Sequence, residues 1–276
     1  MRVAAVQLNS TDEVDRNLEV AERLVRDAAA AGAELVGLPE KWNLLGPGEA
    51  LSAGAERLDG PSITAARAWA RELGINLLAG SITALHEDAE RPANTSLLID
   101  RDGALVAAYR KIHMFDVEVG GVSYRESEHE EAGEEVVLAE LDGLEVGLSV
   151  CYDLRFPELY RILALRGARL LTVPAAFTRE TGRDHWEVLL RARAIENQAF
   201  VLAPNQIGAA PPHYQSFGRS MIVDPWGVVL AVAPDRECFV AADLDLASLE
   251  TIRERIPALR HRRPDAYRWS EEVAAR

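Results

Sequence analysis

Apolar positions along the chain switch repeatedly between two spacings. Val3 to Leu8 is an apolar run of strand length, and Val14, Leu18, Ala21, Leu24, Val25 and Ala28 then recur every three or four residues, the stripe of an amphipathic helix. Gly32 closes that helix, and Glu34 to Leu38 is a second apolar run, stopped by Pro39. Strand, helix and strand in so short a stretch predict a crossover unit with its two strands parallel. The alternation continues with a helix over 61–73, Pro61 lying just inside its start, and a strand over 75–82 beyond Gly74. Turn-rich junctions at Arg101-Asp102-Gly103, Asp142-Gly143 and Asp224-Pro225-Trp226-Gly227 predict three hairpins: 95–100 with 104–109, 135–140 with 144–150, and 219–223 with 228–232. A helix follows Pro157. The run over 170–174 is apolar on both faces and reads as a central strand, and the helix over 184–198 turns Trp186, Leu189, Leu190 and Ala194 inward. Strands over 200–204 and 239–243 and a helix over 246–255 complete the pattern.

About a dozen strands exceed one comfortable twisted sheet, so the pattern predicts an α/β fold of two packed mixed sheets with helices outside. A chain of 276 residues has a prior of roughly two domains. No Pro/Gly/Ser-rich linker or shift of composition divides it, and one domain over 1–276 is expected. Thirty Lys and Arg against 44 Asp and Glu leave a net charge of −14, which argues against a nucleic-acid binder, since phosphate neutralisation needs clustered basic residues. No window approaches the ~18 consecutive apolar residues of a membrane helix, and the N-terminal apolar run is too short for a signal peptide. A cytoplasmic protein is expected, and the sequons at Asn9 and Asn94 are then chance matches. Two cysteines, Cys151 and Cys238, build neither a disulfide framework nor a Cys-rich zinc site.

Phosphate-loop, dinucleotide-binding, HExxH and GxSxG patterns are absent, and the six histidines are scattered, so no metal site is expected. Three strand ends instead carry chemistry. Cys151 ends the strand over 144–150 just before Pro157 starts a helix, Glu40 follows the strand over 34–38, and Lys111 follows the strand over 104–109. Ligands of α/β sheets bind at the carboxyl ends of strands. Taken singly, Cys151 also reads as a buried inert thiol, Glu40 as a solvated loop residue and Lys111 as a surface cation. Cys238 falls in a predicted edge strand and reads as structural. The run Glu126, Glu128, Glu130, Glu131, Glu134, Glu135 reads as a solvated loop with room for one member to turn inward, and Arg253, Arg255, Arg260, Arg262 and Arg263 read as a surface or subunit contact. A Cys–His hydrolase using His113 or His185, and a binding subunit without turnover, are the rival readings.

Read together, Leu38-Pro39-Glu40, Tyr109-Arg110-Lys111-Ile112-His113-Met114-Phe115-Asp116 and Cys151-Tyr152-Asp153-Leu154-Arg155-Phe156-Pro157-Glu158 resemble, in order, the Glu–Lys–Cys landmarks of the nitrilase, or carbon–nitrogen hydrolase, superfamily. Residues 185–187, 191–197 and 224–227 extend the match, which runs from Ala4 to the tail at Tyr267. The sequence is most similar to the small-amide branch, the deaminated-glutathione amidase and omega-amidase type. Two departures are Ala175 and Ala176 after Pro174, where that branch often carries Ser or Gly, and the stretch Gln206 to Pro212; both fall near the expected substrate pocket.

The resemblance implies an α-β-β-α sandwich that pairs into a homodimer or higher oligomer, with the tail over 257–276 at a subunit contact. It implies hydrolysis of a small carboxamide through a thioester, with no cofactor and no metal, and N-carbamoyl amino acids or nitriles as alternative substrates. It assigns Cys151 as nucleophile, Glu40 as general base, Lys111 as oxyanion stabiliser beside the Tyr152 N–H, and Glu126 as a supporting carboxylate. Phe177 would face the substrate, and Arg155 or Arg179 would clamp a substrate carboxylate.

Overall fold

In a computed structural model, described over residues 1–266, the chain opens with β1 (Arg2–Gln7), α1 (Val14–Ala30), β2 (Leu35–Gly37), α2 (Gly48–Ala53), α3 (Pro61–Leu73) and β3 (Asn76–Ala84). It continues through β4 (Ala93–Ile99), β5 (Leu105–Arg110), β6 (Asp116–Val119), β7 (Val122–Arg125), β8 (Leu138–Leu141) and β9 (Leu144–Gly147). Then come α4 (Pro157–Leu165), β10 (Leu170–Thr172), α5 (Arg179–Asn197), β11 (Phe200–Ala203), β12 (Ile207–Ala210), β13 (Tyr214–Phe217), β14 (Met221–Val223), β15 (Val229–Val232), β16 (Cys238–Asp243) and α6 (Leu246–Arg255).

Two six-stranded sheets form, in the orders β16-β1-β2-β3-β4-β5 and β15-β14-β11-β10-β9-β8. Each is mixed. β1, β2 and β3 run parallel, as the crossover unit predicts, and β9, β10 and β11 run parallel in the second sheet, while the flanking pairs are antiparallel. Strand alternation sorts the core. On β1, Ala4 and Val6 face a layer containing Leu24 and Val25 of α1 and Ile63, Ala66 and Ala70 of α3. Val3 and Ala5 face the other way, into a core shared with Val146, Leu171 and Val201 of the second sheet and continuing to Leu159 of α4 and Trp186 of α5. The result is the α-β-β-α sandwich expected from the sequence.

Every predicted hairpin forms, and β10 and β11 are buried throughout. The structure adds the small hairpins β6–β7 and β12–β13, outside both main sheets, and the six-residue helix α2. The β6–β7 hairpin does alternate, with Val117, Val119, Val122 and Tyr124 half-buried and Asp116, Glu118, Ser123 and Arg125 exposed, but over only four residues per strand, whereas β12 shows no such alternation. Helix α5 starts at Arg179, earlier than the predicted Asp184, and takes in Gly182, which packs against the Phe217 ring where an added Cβ would approach to 2.3 Å. Cys238 does lie on an edge strand, β16. The Arg253 guanidinium of α6 is an internal tie, donating to the Gln198 and Ala168 carbonyls. The tail expected at a subunit contact lies outside the described residues from 267 onward. Among the described residues, no helix is long and apolar enough to cross a membrane.

Candidate active site

Glu40, Lys111 and Cys151, 111 positions apart at their extremes, all reach one buried pocket floor. Glu40 follows β2 and Lys111 directly follows β5, both in the first sheet; Cys151 comes shortly after β9 of the second. Gly80 makes the Glu40 placement possible. It sits in β3 at φ +40°, and a Cβ there would lie 1.9 Å from the Pro39 carbonyl oxygen. No other residue lets the Leu38-Pro39-Glu40 backbone cross so close over the strand.

The Glu40 carboxylate is held from three sides. Its Oε2 accepts the Ala176 N–H at 2.7 Å, a contact that crosses to the second sheet, and its Oε1 accepts Asn94 Nδ2 at 2.8 Å and Lys111 Nζ at 3.2 Å. Lys111 also donates to both oxygens of Glu126, at 2.8 and 2.7 Å, and Glu126 accepts the Phe115 N–H at 2.7 Å. Asn94 Nδ2 reaches Glu126 too, at 3.2 Å, and so ties the two carboxylates together.

Cys151 opens a short 3-10 turn, Cys151–Arg155, and its own φ is +48°. A non-glycine residue in that region stores roughly 1–3 kcal/mol of strain, held here by the surroundings. The buried Asp153 supplies much of that hold. It accepts the Val150 N–H at 2.8 Å, the Tyr109 hydroxyl at 2.7 Å and the His113 N–H at 3.1 Å, tying the turn to β5. Cys151 N–H donates to the Pro174 carbonyl at 2.9 Å. The Tyr152 N–H follows at the first turn, where helical N–H groups lack an intrahelical partner.

Burial shapes the charges. It pushes the Cys151 thiol well above its ordinary value, the Glu40 carboxylate adds to this, and Lys111 opposes without reversing it. The surroundings therefore favour the protonated thiol, with the Glu40 carboxylate beside it. For Lys111, burial favours the neutral amine, but Glu126 and Glu40 outweigh it and hold the ammonium. Burial pushes the Glu126 carboxyl up, yet Lys111 and Lys41 prevail and hold it at about 2.

Above this floor lies a cavity of about 440 Å³. Tyr152, Arg155 and Phe177 line it. The Arg155 guanidinium sits 5.1 Å from the Phe177 ring centroid and 5.9 Å from that of Tyr152, with His185 Nδ1 3.1 Å from its Nη1. Arg179 does not line the cavity; it is exposed in the first turn of α5. Nor do the histidines of the rival reading: His113 stacks on Phe156 at 3.5 Å and pairs with Asp153, and His185 is exposed. The departing stretch does reach the site. Gln206 is buried and donates to the Glu40 carbonyl at 2.9 Å, and Pro212, His213 and Tyr214 close one wall.

Asn94 lies within the sequon Asn94-Thr95-Ser96, and the wholly buried strand that marks its side chain as partnered shows only in the fold. The acidic run turns two members inward rather than one, Glu126 and Glu130, four residues apart; Glu130 pairs with a buried Lys41 at 2.9 Å. That spacing puts both on one helical face, and an acidic run alone does not say which face is dry.

Residues 2–254 match the family model described as carbon-nitrogen hydrolase. The chain is 41% identical over 264 residues to a deaminated glutathione amidase of Synechocystis, covering 94% of this chain and 97% of that protein. It is 39% identical over 267 residues to omega-amidase NIT2 of Homo sapiens, covering 96% of each. It superposes on the crystal structure of the C. elegans NitFhit protein with a TM-score of 0.89 at 40% identity, covering 97% of this chain and 66% of that one, so it spans about two thirds of that protein. With the fold, the family model and near full-length relatives in agreement, the chain belongs to the carbon-nitrogen hydrolase family of enzymes.

Proposed function

We propose that this enzyme is a cysteine-dependent amidase that hydrolyses a small carboxamide to a carboxylic acid and ammonia through a thioester. The observation that carries the reading is the convergence of a buried thiol, a buried ammonium with two carboxylate partners, and a fixed carboxylate on one cavity floor. Glu40 takes the thiol proton as the sulfur attacks the amide carbon. The carbonyl oxygen becomes an oxyanion between Lys111 Nζ and the Tyr152 N–H. Collapse breaks the C–N bond, Glu40 returns its proton to the leaving nitrogen, and ammonia departs. Water then attacks the thioester, giving one proton to Glu40, and the acid leaves as the sulfur recovers its proton. Glu126 keeps Lys111 in place and charged. Arg155, facing the cavity among aromatic rings and without a carboxylate partner among the described residues, would take a substrate carboxylate. The names of the two amidase relatives support an amide carrying such a group.

Replacing Cys151 by Ala is expected to abolish ammonia release from a panel of omega-amides, N-carbamoyl amino acids and nitriles; turnover surviving in that variant would end the proposal. Within the panel, the wild-type enzyme is expected to favour omega-amides, and preference for nitriles or carbamoyl compounds would redirect the substrate class. The reading includes pairing of two copies. Val188 and Ile195 on α5 and Trp226 and Val228 on the β14–β15 turn are exposed, and Ile195 lies against Gly227 of that turn, so an apolar patch is continuous there. Light scattering is expected to give at least a dimer, and a monomer at micromolar concentration would remove this part.

A further inference from the structure

Beside the floor lies a second buried ion pair that the steps above do not use. Lys41, next in sequence to Glu40, is buried and adopts φ +52°, a left-handed conformation that a lysine does not favour. Its backbone N–H donates to Ser81 Oγ at 3.2 Å. Its Nζ lies 2.9 Å from Glu130 Oε2 and 3.9 Å from Glu126 Oε1, and Glu130 Oε1 accepts the Thr83 hydroxyl at 2.9 Å. The Glu130 N–H donates to the Glu126 carbonyl at 3.0 Å, which stacks the two carboxylates one turn apart. Glu130, Lys41, Glu126, Lys111 and Glu40 thus form one row of alternating charge, with the neutral Thr83 hydroxyl at its outer end and the thiol at its inner end.

The row raises a problem of competition. Glu126 sits between two ammonium groups, and both of its oxygens are on Lys111. Lys41 stops short of hydrogen-bonding distance to it, because Glu130 holds the Lys41 ammonium elsewhere. Without Glu130, the nearest remaining carboxylate for Lys41 is Glu126, and a buried ammonium does not stay unpaired. We propose that Glu130 tethers Lys41 away from Glu126 and so reserves Glu126 for Lys111, making Lys41 and Glu130 positioning residues for the Glu40, Lys111 and Cys151 chemistry.

The charges agree with the geometry. Lys41 is one of the two cations that hold Glu126 ionised, while burial pushes the Glu130 carboxyl up against the pull of Lys41. The charged and titratable groups around Lys41 are Glu130, Glu126, Glu40 and Tyr214, and those around Cys151 are Glu40, Lys111 and Tyr160. Lys41 and Glu130 therefore make a net-neutral addition to the site, and each alone leaves an uncompensated charge.

The kinetic part of this inference rests on the amidase reading; the thiol part does not. The test uses a Cys238→Ser background carrying Glu130→Gln, Lys41→Met, or Lys41→Met with Glu130→Leu. Two readouts are taken: ammonia release from an omega-amide, and the rate of Cys151 alkylation by iodoacetamide at a fixed alkaline pH. Glu130→Gln is expected to lower kcat by about 10- to 100-fold with KM nearly unchanged, as Lys41 swings onto Glu126, and the double variant is expected to regain most of that loss. Alkylation is expected to quicken by about threefold in Glu130→Gln, slow by a similar factor in Lys41→Met, and return toward wild type in the double variant. The opposite alkylation shifts report that both charges reach the thiol, and the tether itself is read in the kcat loss of Glu130→Gln and its recovery in the double variant. Should Lys41→Met fail to fold, Lys41→Arg keeps the charge and is expected to retain both readouts. Losses that multiply in the double variant, or alkylation rates that move the same way in both single variants, overturn the tether. If the wild-type enzyme released no ammonia from any panel member while the opposite alkylation shifts and their return in the double variant persisted, the amidase reading would fall and the electrostatic link from Lys41 and Glu130 to the thiol would stand.

Discussion

At the floor of the cavity, Glu40, Lys111 and Cys151 are almost closed to solvent, and each is fixed by backbone or charged partners. At its rim, Ser123, Arg125 and His213 are exposed and stand on the β6–β7 hairpin or the turn of the β12–β13 hairpin, outside both main sheets. The floor is made by strand ends of the two sheets that the core packs together, so its geometry is inherited from the most tightly determined part of the molecule. The rim is made by short two-stranded hairpins, which depend on the body for their stability. If the chemistry lies at the floor and selectivity at the rim, as proposed, the two rest on different supports, packed sheets and isolated hairpins. Substitution at the floor should change the rate constant, and substitution at the rim should change which amide is held.

The largest break in that contrast is expected from Lys111→Met. Methionine fills a similar volume but leaves Glu40 and Glu126 facing each other without the ammonium that both approach within 3.2 Å. In the proposed mechanism it also removes one donor to the oxyanion. A fall in kcat of about 10²–10³-fold or more is expected, with the variant still folded by circular dichroism. A kcat within tenfold of wild type would separate Lys111 from the reaction and leave the floor a structural ion cluster.

Much of this contrast is readable before folding. The β1–α1–β2 crossover, the three hairpins and the two-sheet sandwich follow from apolar spacing and turn chemistry, because those patterns record which face of each element is dry. Glu40, Lys111 and Cys151 are readable as strand-end residues and, through their surrounding motifs, as a set. Asn94, Lys41 and Glu130 are not. Each is a common polar residue whose meaning comes from burial, and burial is set by strands distant in sequence: Asn94 meets Glu40 across 54 positions and Lys41 meets Glu130 across 89. The rim hairpins escape for a different reason: β6 and β7 alternate, but over only four residues each, too short a run to stand out, and β12 has no clean alternation.

A smaller effect, read in stability rather than rate, sharpens the account of the floor. Lys111 and Lys41 together hold Glu126 at about 2, below its usual 4.5, against the upward push of burial. A carboxyl lowered on folding adds stability that is complete above its unfolded value and lost as pH falls through its folded value. The window is therefore about pH 4.5 down to about 2, and the amount at stake is on the order of 3 kcal/mol. Urea unfolding of wild type and Glu126→Gln is expected to show the wild-type advantage shrinking across that window. A difference independent of pH would mean that the carboxylate is not held down by the two ammonium groups.

The smallest expected change, which tests whether recognition is confined to the rim, comes from two arginines that the sequence leaves equivalent, Arg155 at the end of the Cys151–Arg155 turn beside the floor and Arg179 on α5. Arg155 faces the cavity, its guanidinium near the Phe177 and Tyr152 rings, whereas Arg179 is exposed on the first turn of α5 and lines nothing. If a substrate carboxylate docks against Arg155, removing the guanidinium costs a charge-assisted hydrogen bond, about 1.5–3 kcal/mol. Arg155→Ala is then expected to raise KM for a carboxylate-bearing omega-amide by about 10- to 100-fold, with kcat changed far less. A neutral amide of the same length should show little difference between wild type and variant, since it has no charge to lose. Arg179→Ala is expected to leave both constants within about twofold for either substrate. Equal KM values in all three proteins would remove Arg155 from recognition and place selectivity in the apolar shape of the cavity. A large effect from Arg179→Ala instead would mean that α5 approaches the substrate more closely than its exposed first turn implies.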